Sequence, residues 1–134
     1  MTEKCNSLMI VEDDEDISNA LSDLIESEIG LNPVVARNGI EALDKIKTLD
    51  KPCLILLDLM MPVMDGFQFL SKIKEESMEG VLHIVVITAS SKKDLQGHRV
   101  IRKPFNLDQL METISDICGR GRKGNVSETS AIMN

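Results

Sequence analysis

The sequence predicts an α/β domain built on a doubly wound parallel sheet. Short β-rich apolar runs alternate with segments of helical period, the pattern of parallel strands joined by crossover helices. The runs are apolar almost without interruption, as strands are when helices cover both faces of a sheet. Polar residues with capping chemistry stand where the helices should begin.

The first strand is read at Leu8–Val11. Ile17, Leu21, Leu24, Ile25 and Ile29 then recur at helical spacing, and Gly30 stops that helix. Val34–Ala36 is the second strand. Asn38, with Glu41 three residues on, opens a second helix as a capping box, and Ile40, Leu43 and Ile46 are its expected buried face. The third strand is Leu54–Leu57, and Asp65 with Gln68 opens a helix through Ile73. His83–Ile87 and Val100–Ile101 are the fourth and fifth strands. Only 12 residues, Thr88 to Arg99, remain for the crossover between them, so a helical turn or a loop is expected there. Asn106 with Gln109 opens a last helix through Leu107, Leu110, Met111, Ile114 and Ile117. Beyond Gly119 the periodicity gives way to Gly and Ser; the domain is expected to span residues 1–119, with a flexible tail over 120–134.

Composition narrows the function. The 134 residues are one domain, long enough to need no disulfide or metal staple. Acidic side chains outnumber basic ones 22 to 15, for a net charge of −7. Phe67, Phe69 and Phe105 are the only aromatic residues, too few to stack bases, so no direct nucleic acid ligand is expected. No apolar run approaches the length of a membrane span and the N-terminus lacks a signal-peptide layout, so a soluble, cytoplasmic protein without membrane insertion is expected. Cys5, Cys53 and Cys118 are odd in number and widely spaced, and are read as reduced thiols packed in the core. His83 and His98 lack metal-ligand spacing.

The carboxyl ends of the strands carry the chemistry. Both common doubly wound strand orders bind ligands there, where the order reverses. Glu12, Asp13 and Asp14 follow the first run and Asp58 follows the third. In the order 2-1-3-4-5 these strands are neighbours, so Glu12 or Asp13 approaches Asp58. Two such charges about 4 Å apart repel by roughly 4 kcal/mol at an effective dielectric near 20, and the cluster asks for a cation. Hard oxygen ligands in small number favour Mg²⁺, which also accepts phosphate oxygens. Asp14 and Asp16 need only complement a helix dipole. Thr88 ends the fourth strand and Lys103 follows the fifth; a hydroxyl and an ammonium at one edge can hold the oxygens of an anion such as phosphate.

In chain order stand Glu12-Asp13, Asp58 within Leu-Asp-Leu-Met-Met-Pro-Val-Met-Asp-Gly, Thr88 within Val-Ile-Thr-Ala-Ser, and Lys103-Pro104-Phe105. From about Leu8 to about Ile117 the chain resembles the receiver domain of two-component response regulators, of the stand-alone chemotaxis-regulator kind. The resemblance implies a flavodoxin-like receiver fold, a five-stranded sheet in the order 2-1-3-4-5, here with the fourth helix shortened or missing. It implies Asp58 as phosphoacceptor, Asp13 as a direct Mg²⁺ ligand, Glu12 holding the ion through water, and the Met60 backbone carbonyl completing the protein ligands. Thr88 and Lys103 would bind phosphoryl oxygens, and Ala89 would leave them room. The implied partners are a sensor histidine kinase or a histidine phosphotransfer protein, and a downstream protein that the sequence does not identify. The resemblance implies a signalling protein rather than an enzyme, with any catalysis limited to its own phosphorylation and autodephosphorylation.

Two features depart from the family pattern. Receiver domains commonly carry Tyr or Phe three residues before the Lys, and this chain has Val100 there. The crossover after Thr88 is shorter than the family's by about two helical turns of 3.6 residues. They motivate an alternative, a degenerate receiver that acts as a phosphorylation-independent interaction module. A monomer is expected; a dimer covering the sheet face left bare by the short crossover is the alternative.

Overall fold

The computed structural model describes residues 5–89, 97–119 and 132–133. In chain order these form β1 (Ser7–Val11), α1 (Glu15–Ile29), β2 (Val34–Ala36), α2 (Gly39–Ile46), β3 (Cys53–Asp58), α3 (Gly66–Glu75), β4 (Leu82–Thr88), β5 (Arg99–Arg102), β6 (Phe105–Asn106), α4 (Leu107–Cys118) and β7 (Ile132–Met133). The main sheet has five parallel strands in the order β2-β1-β3-β4-β5, as expected. Among the described residues no helix stands between β4 and β5; residues 90–96 of the short crossover, and most of the expected tail, lie outside them. The short pair β6–β7, which the sequence did not foreshadow, joins Phe105–Asn106 antiparallel to Ile132–Met133.

Alternation along the strands divides the core in two. Leu8, Ile10, Leu54, Leu56, Val85, Ile87 and Ile101 face α1 and α4. Met9, Val11, Ile55, Leu57, Ile84 and Val86 face α2 and α3. The helix boundaries follow the capping chemistry. Asp14 caps α1, Asn38 caps α2 and Asn106 caps α4, each accepting from the backbone N–H three residues on. Asp65 and Gln68 complete a reciprocal capping box at α3. Gly30 ends α1 at φ 86°, in the left-handed region where the absence of a Cβ removes the steric cost.

Three expectations are corrected. Helix α2 buries Gly39, Ala42 and Ile46, whereas Leu43 is only half-buried and Ile40 is 52% exposed. In a helix of two turns several faces are apolar enough to choose from, and the one bearing the smallest residues packs closest to the sheet. Glu41 does not close a capping box; its carboxylate accepts from the Arg37 N–H instead. Cys5 and Cys118 are not reduced thiols but form a disulfide across 113 residues, while Cys53 is free and buried as read. Helix α4 shares its face of the sheet with β1, which brings the start of the first strand and the last helical residue together.

Candidate functional site

Strand register sets the site. Val11 pairs with Leu57, Asp58 with Ile87, Ile87 with Ile101, and Thr88 with Arg102. Glu12, one residue past Val11, therefore comes level with Asp58, while Thr88 stands one step and Lys103 two steps beyond that row. The Lys103 N–H donates to the Thr88 carbonyl at 2.9 Å, which fixes the start of the Lys103–Phe105 loop against the end of β4. The Lys103–Pro104 peptide is cis.

The expected acidic cluster is present. Carboxylate oxygens of Glu12, Asp13 and Asp58 all lie within 4.8 Å of one another, with Glu12 buried, Asp58 half-buried and Asp13 exposed. Lys103 Nζ is 3.5 Å from Glu12 Oε1. Burial pushes the Glu12 carboxyl up to about 7; the Asp14 N–H opposes the rise, the charge and hydrogen bond of Asp58 add to it, and Lys103 again opposes. One oxygen of Asp58 accepts from the Met60 N–H at 3.2 Å. Thr88 is fully buried at its strand end. Met60 is 69% exposed at the mouth of the site.

The cluster fits a small hard cation. An octahedral Mg²⁺ with oxygens about 2.1 Å away spaces them about 3 to 4 Å apart, so these carboxylates need only tighten around it. Asp13 and the half-buried Asp58 can rotate to do so. Beside the charged groups Ile10, Leu56, Ile87 and Phe105 line an apolar cavity wall, which keeps the local dielectric low and strengthens every charge interaction at the site.

The loop after β3 is held by contacts that sequence reading missed. The Gly66 N–H donates to the Leu59 carbonyl at 3.0 Å, and the Gly39 N–H to the Met64 carbonyl at 2.8 Å. A Cβ on Gly66 would lie 2.7 Å from the Asp58 carbonyl oxygen and 2.8 Å from Leu59 Cα, so the residue that opens α3 touches the backbone at the end of β3 only because it lacks a side chain. Val63, 75% exposed, has φ 68°, a conformation that strains a β-branched residue. The Met-Pro-Val-Met-Asp-Gly run was the available signal for a tight loop, but not for which residue carries the positive φ.

Comparison with known proteins points one way. The family model described as "Response regulator receiver domain" matches residues 8–115. The chemotaxis protein CheY of Halobacterium salinarum is 32% identical over 117 residues, covering 82% of this chain and 94% of that protein. The chain spans about half the length of some other curated relatives. Among solved structures, the receiver domain complex of the Saccharomyces cerevisiae histidine phosphotransfer signalling protein Ypd1 with the response regulator Ssk1 matches at 26% identity and a TM-score of 0.73, over 89% of this chain and 92% of that one. The CheX–CheY–BeF3–Mg²⁺ complex of Borrelia burgdorferi matches at 28% identity and a TM-score of 0.71, over 83% and 87%.

Proposed function

Since the chain belongs to the response regulator receiver domain family, we propose that it is a phosphoacceptor of a two-component pathway, in which Asp58 takes a phosphoryl group from a histidine kinase or a histidine phosphotransfer protein. The observation that carries this reading is the convergence of Asp58, Asp13 and Glu12 within 4.8 Å, beside the Lys103 ammonium. Crowded carboxylates are costly to a fold that does not use them. The phosphotransfer partner in the yeast structure and the BeF3 and Mg²⁺ in the Borrelia structure accord with it.

In this reading an oxygen of Asp58 attacks the phosphorus of a phosphohistidine protonated on its other ring nitrogen, the P–N bond breaks, and the donor leaves as neutral imidazole. Mg²⁺, when bound by Asp13, Asp58, the Met60 carbonyl and, through water, Glu12, supplies positive charge to the phosphoryl oxygens. Lys103 adds a second positive charge, and the Thr88 hydroxyl donates to a phosphoryl oxygen. The Met60 N–H already on Asp58 orients the carboxylate for attack. Water then hydrolyses the acyl phosphate and restores Asp58, so the signal is self-limiting. The output is a changed affinity for a protein partner or onward transfer of the phosphoryl group, in the cytoplasm.

Incubation with Mg²⁺ and a small phosphodonor, read by intact mass, tests this. Wild type gains one phosphoryl group and Asp58→Asn gains none. A wild type that stays unmodified with small donors and with kinases of its own cell supports the phosphorylation-independent module instead.

A further inference from the structure

At the other end of β1 from the acidic cluster lies a pair of cysteines. Cys5 precedes β1 by two residues and Cys118 is the last residue of α4. Their Cα atoms are 4.9 Å apart and their sulfurs are bonded. Both are fully buried in the core between the sheet, α1 and α4. Cys53 is equally buried but packs with Met9 and Ile55 on the opposite face, so the sheet stands between it and the pair. Phosphoryl transfer uses none of the three.

We propose that Cys5 and Cys118 are a reversible redox modification site, closed by exchange with a small disulfide of the glutathione class and opened by the matching thiol. Because both sulfurs are buried, exchange needs local opening at the last turn of α4, after which one protein thiolate attacks the external disulfide, forming a mixed disulfide and releasing a thiolate. The second protein thiolate then attacks the mixed disulfide and releases the other. Two protein thiols are oxidised, one glutathione disulfide is reduced to two glutathiones, and the protein's thiol protons end on the released thiolates.

Position in the fold fixes the consequence. The bond joins the start of the first strand to the end of the last helix across 113 residues, a long loop whose closure removes much entropy from the unfolded chain. The acidic cluster is separated from Cys5 by the whole of β1, and Lys103 from Cys118 by the whole of α4. The pair is therefore a latch on the stability of the domain and leaves the ionic site as it is, so its test is independent of the phosphoacceptor reading.

The full chain is equilibrated in mixtures of reduced and oxidised glutathione, quenched in acid, unfolded, alkylated and weighed. In oxidising mixtures the alkylated thiols should fall from three to one, with a peptide map joining Cys5 to Cys118. The melting temperature should be roughly 10 °C higher than in reducing mixtures and return on adding reduced glutathione. Cys53→Ala should keep that shift and Cys118→Ala should lose it; should a variant fail to fold, the wild-type thiol count and map still decide. Mg²⁺ affinity should agree within about twofold between the two forms. Three alkylated thiols in every mixture, glutathione adducts without a bridge, a bridge through Cys53, or a bridge that reduced glutathione does not reopen would each overturn the proposal.

Discussion

Lys103 and Glu12 form an ion pair at 3.5 Å with side chains only 16% and 6% exposed, joining the loop after β5 to the end of β1. Removing one partner of such a pair leaves a charge with little access to water. Lys103→Met should destabilise the Mg²⁺-free protein by about 1–3 kcal/mol at pH 8. At pH 5, where Glu12 is protonated, the cost should be much smaller. Urea unfolding at both pH values measures the difference, and an equal loss at each would show that the ammonium contributes through packing alone.

The Glu12 carboxyl, raised by burial from 4.5 to about 7, sets a pH dependence. Between these values the folded state holds a proton that the unfolded state releases, so folding stability in EDTA should fall as pH rises from about 5 to 8, by at most about 3 kcal/mol from this group. Mg²⁺ competes with that proton, and its affinity should rise over the same interval. Glu12→Gln should flatten both profiles, as followed by denaturant unfolding and by calorimetric titration.

Asp13→Ala should abolish measurable Mg²⁺ binding while leaving stability unchanged or slightly higher, because an exposed member of a like-charged cluster is removed. Calorimetry showing undiminished affinity would take Asp13 out of the ligand set.

Gly66→Ala would place its Cβ 2.7 Å from the Asp58 carbonyl oxygen, against backbone that cannot yield without moving the strand end. A stability loss of about 1–3 kcal/mol is expected. It should come with slower phosphorylation from a small donor, measured by the rate of mass gain.

Val63→Gly should stabilise the protein by about 0.5–1 kcal/mol, since φ 68° costs a β-branched residue more than glycine's extra unfolded-state entropy. A higher urea midpoint with an unchanged m-value is the expected observation.

Much of this architecture was legible because it is locally encoded. The inner strands β1, β3 and β4 are nearly continuous apolar runs, and Asn38, Asp65 and Asn106 sit at the helix starts they cap. The acidic cluster was legible once the strand order placed β1 beside β3. What escaped depends on distance or on phase. The Cys5–Cys118 bond spans 113 residues and follows from where α4 ends rather than from any spacing of cysteines. The exposure of Ile40 reflects the rotation of a two-turn helix, which a pattern of three apolar residues does not fix. The β6–β7 pair joins segments whose sequences carry no strand periodicity.

Because Gly66 is stitched to the Leu59 carbonyl and Gly39 to that of Met64, the chain between those carbonyls is a small lobe anchored at both ends of a backbone seam. Met60 and Val63 project from it into water. Evolution can therefore re-contour the entrance beside Asp58 through a handful of residues, and so retune which visitors are admitted, without redrafting the scaffold underneath.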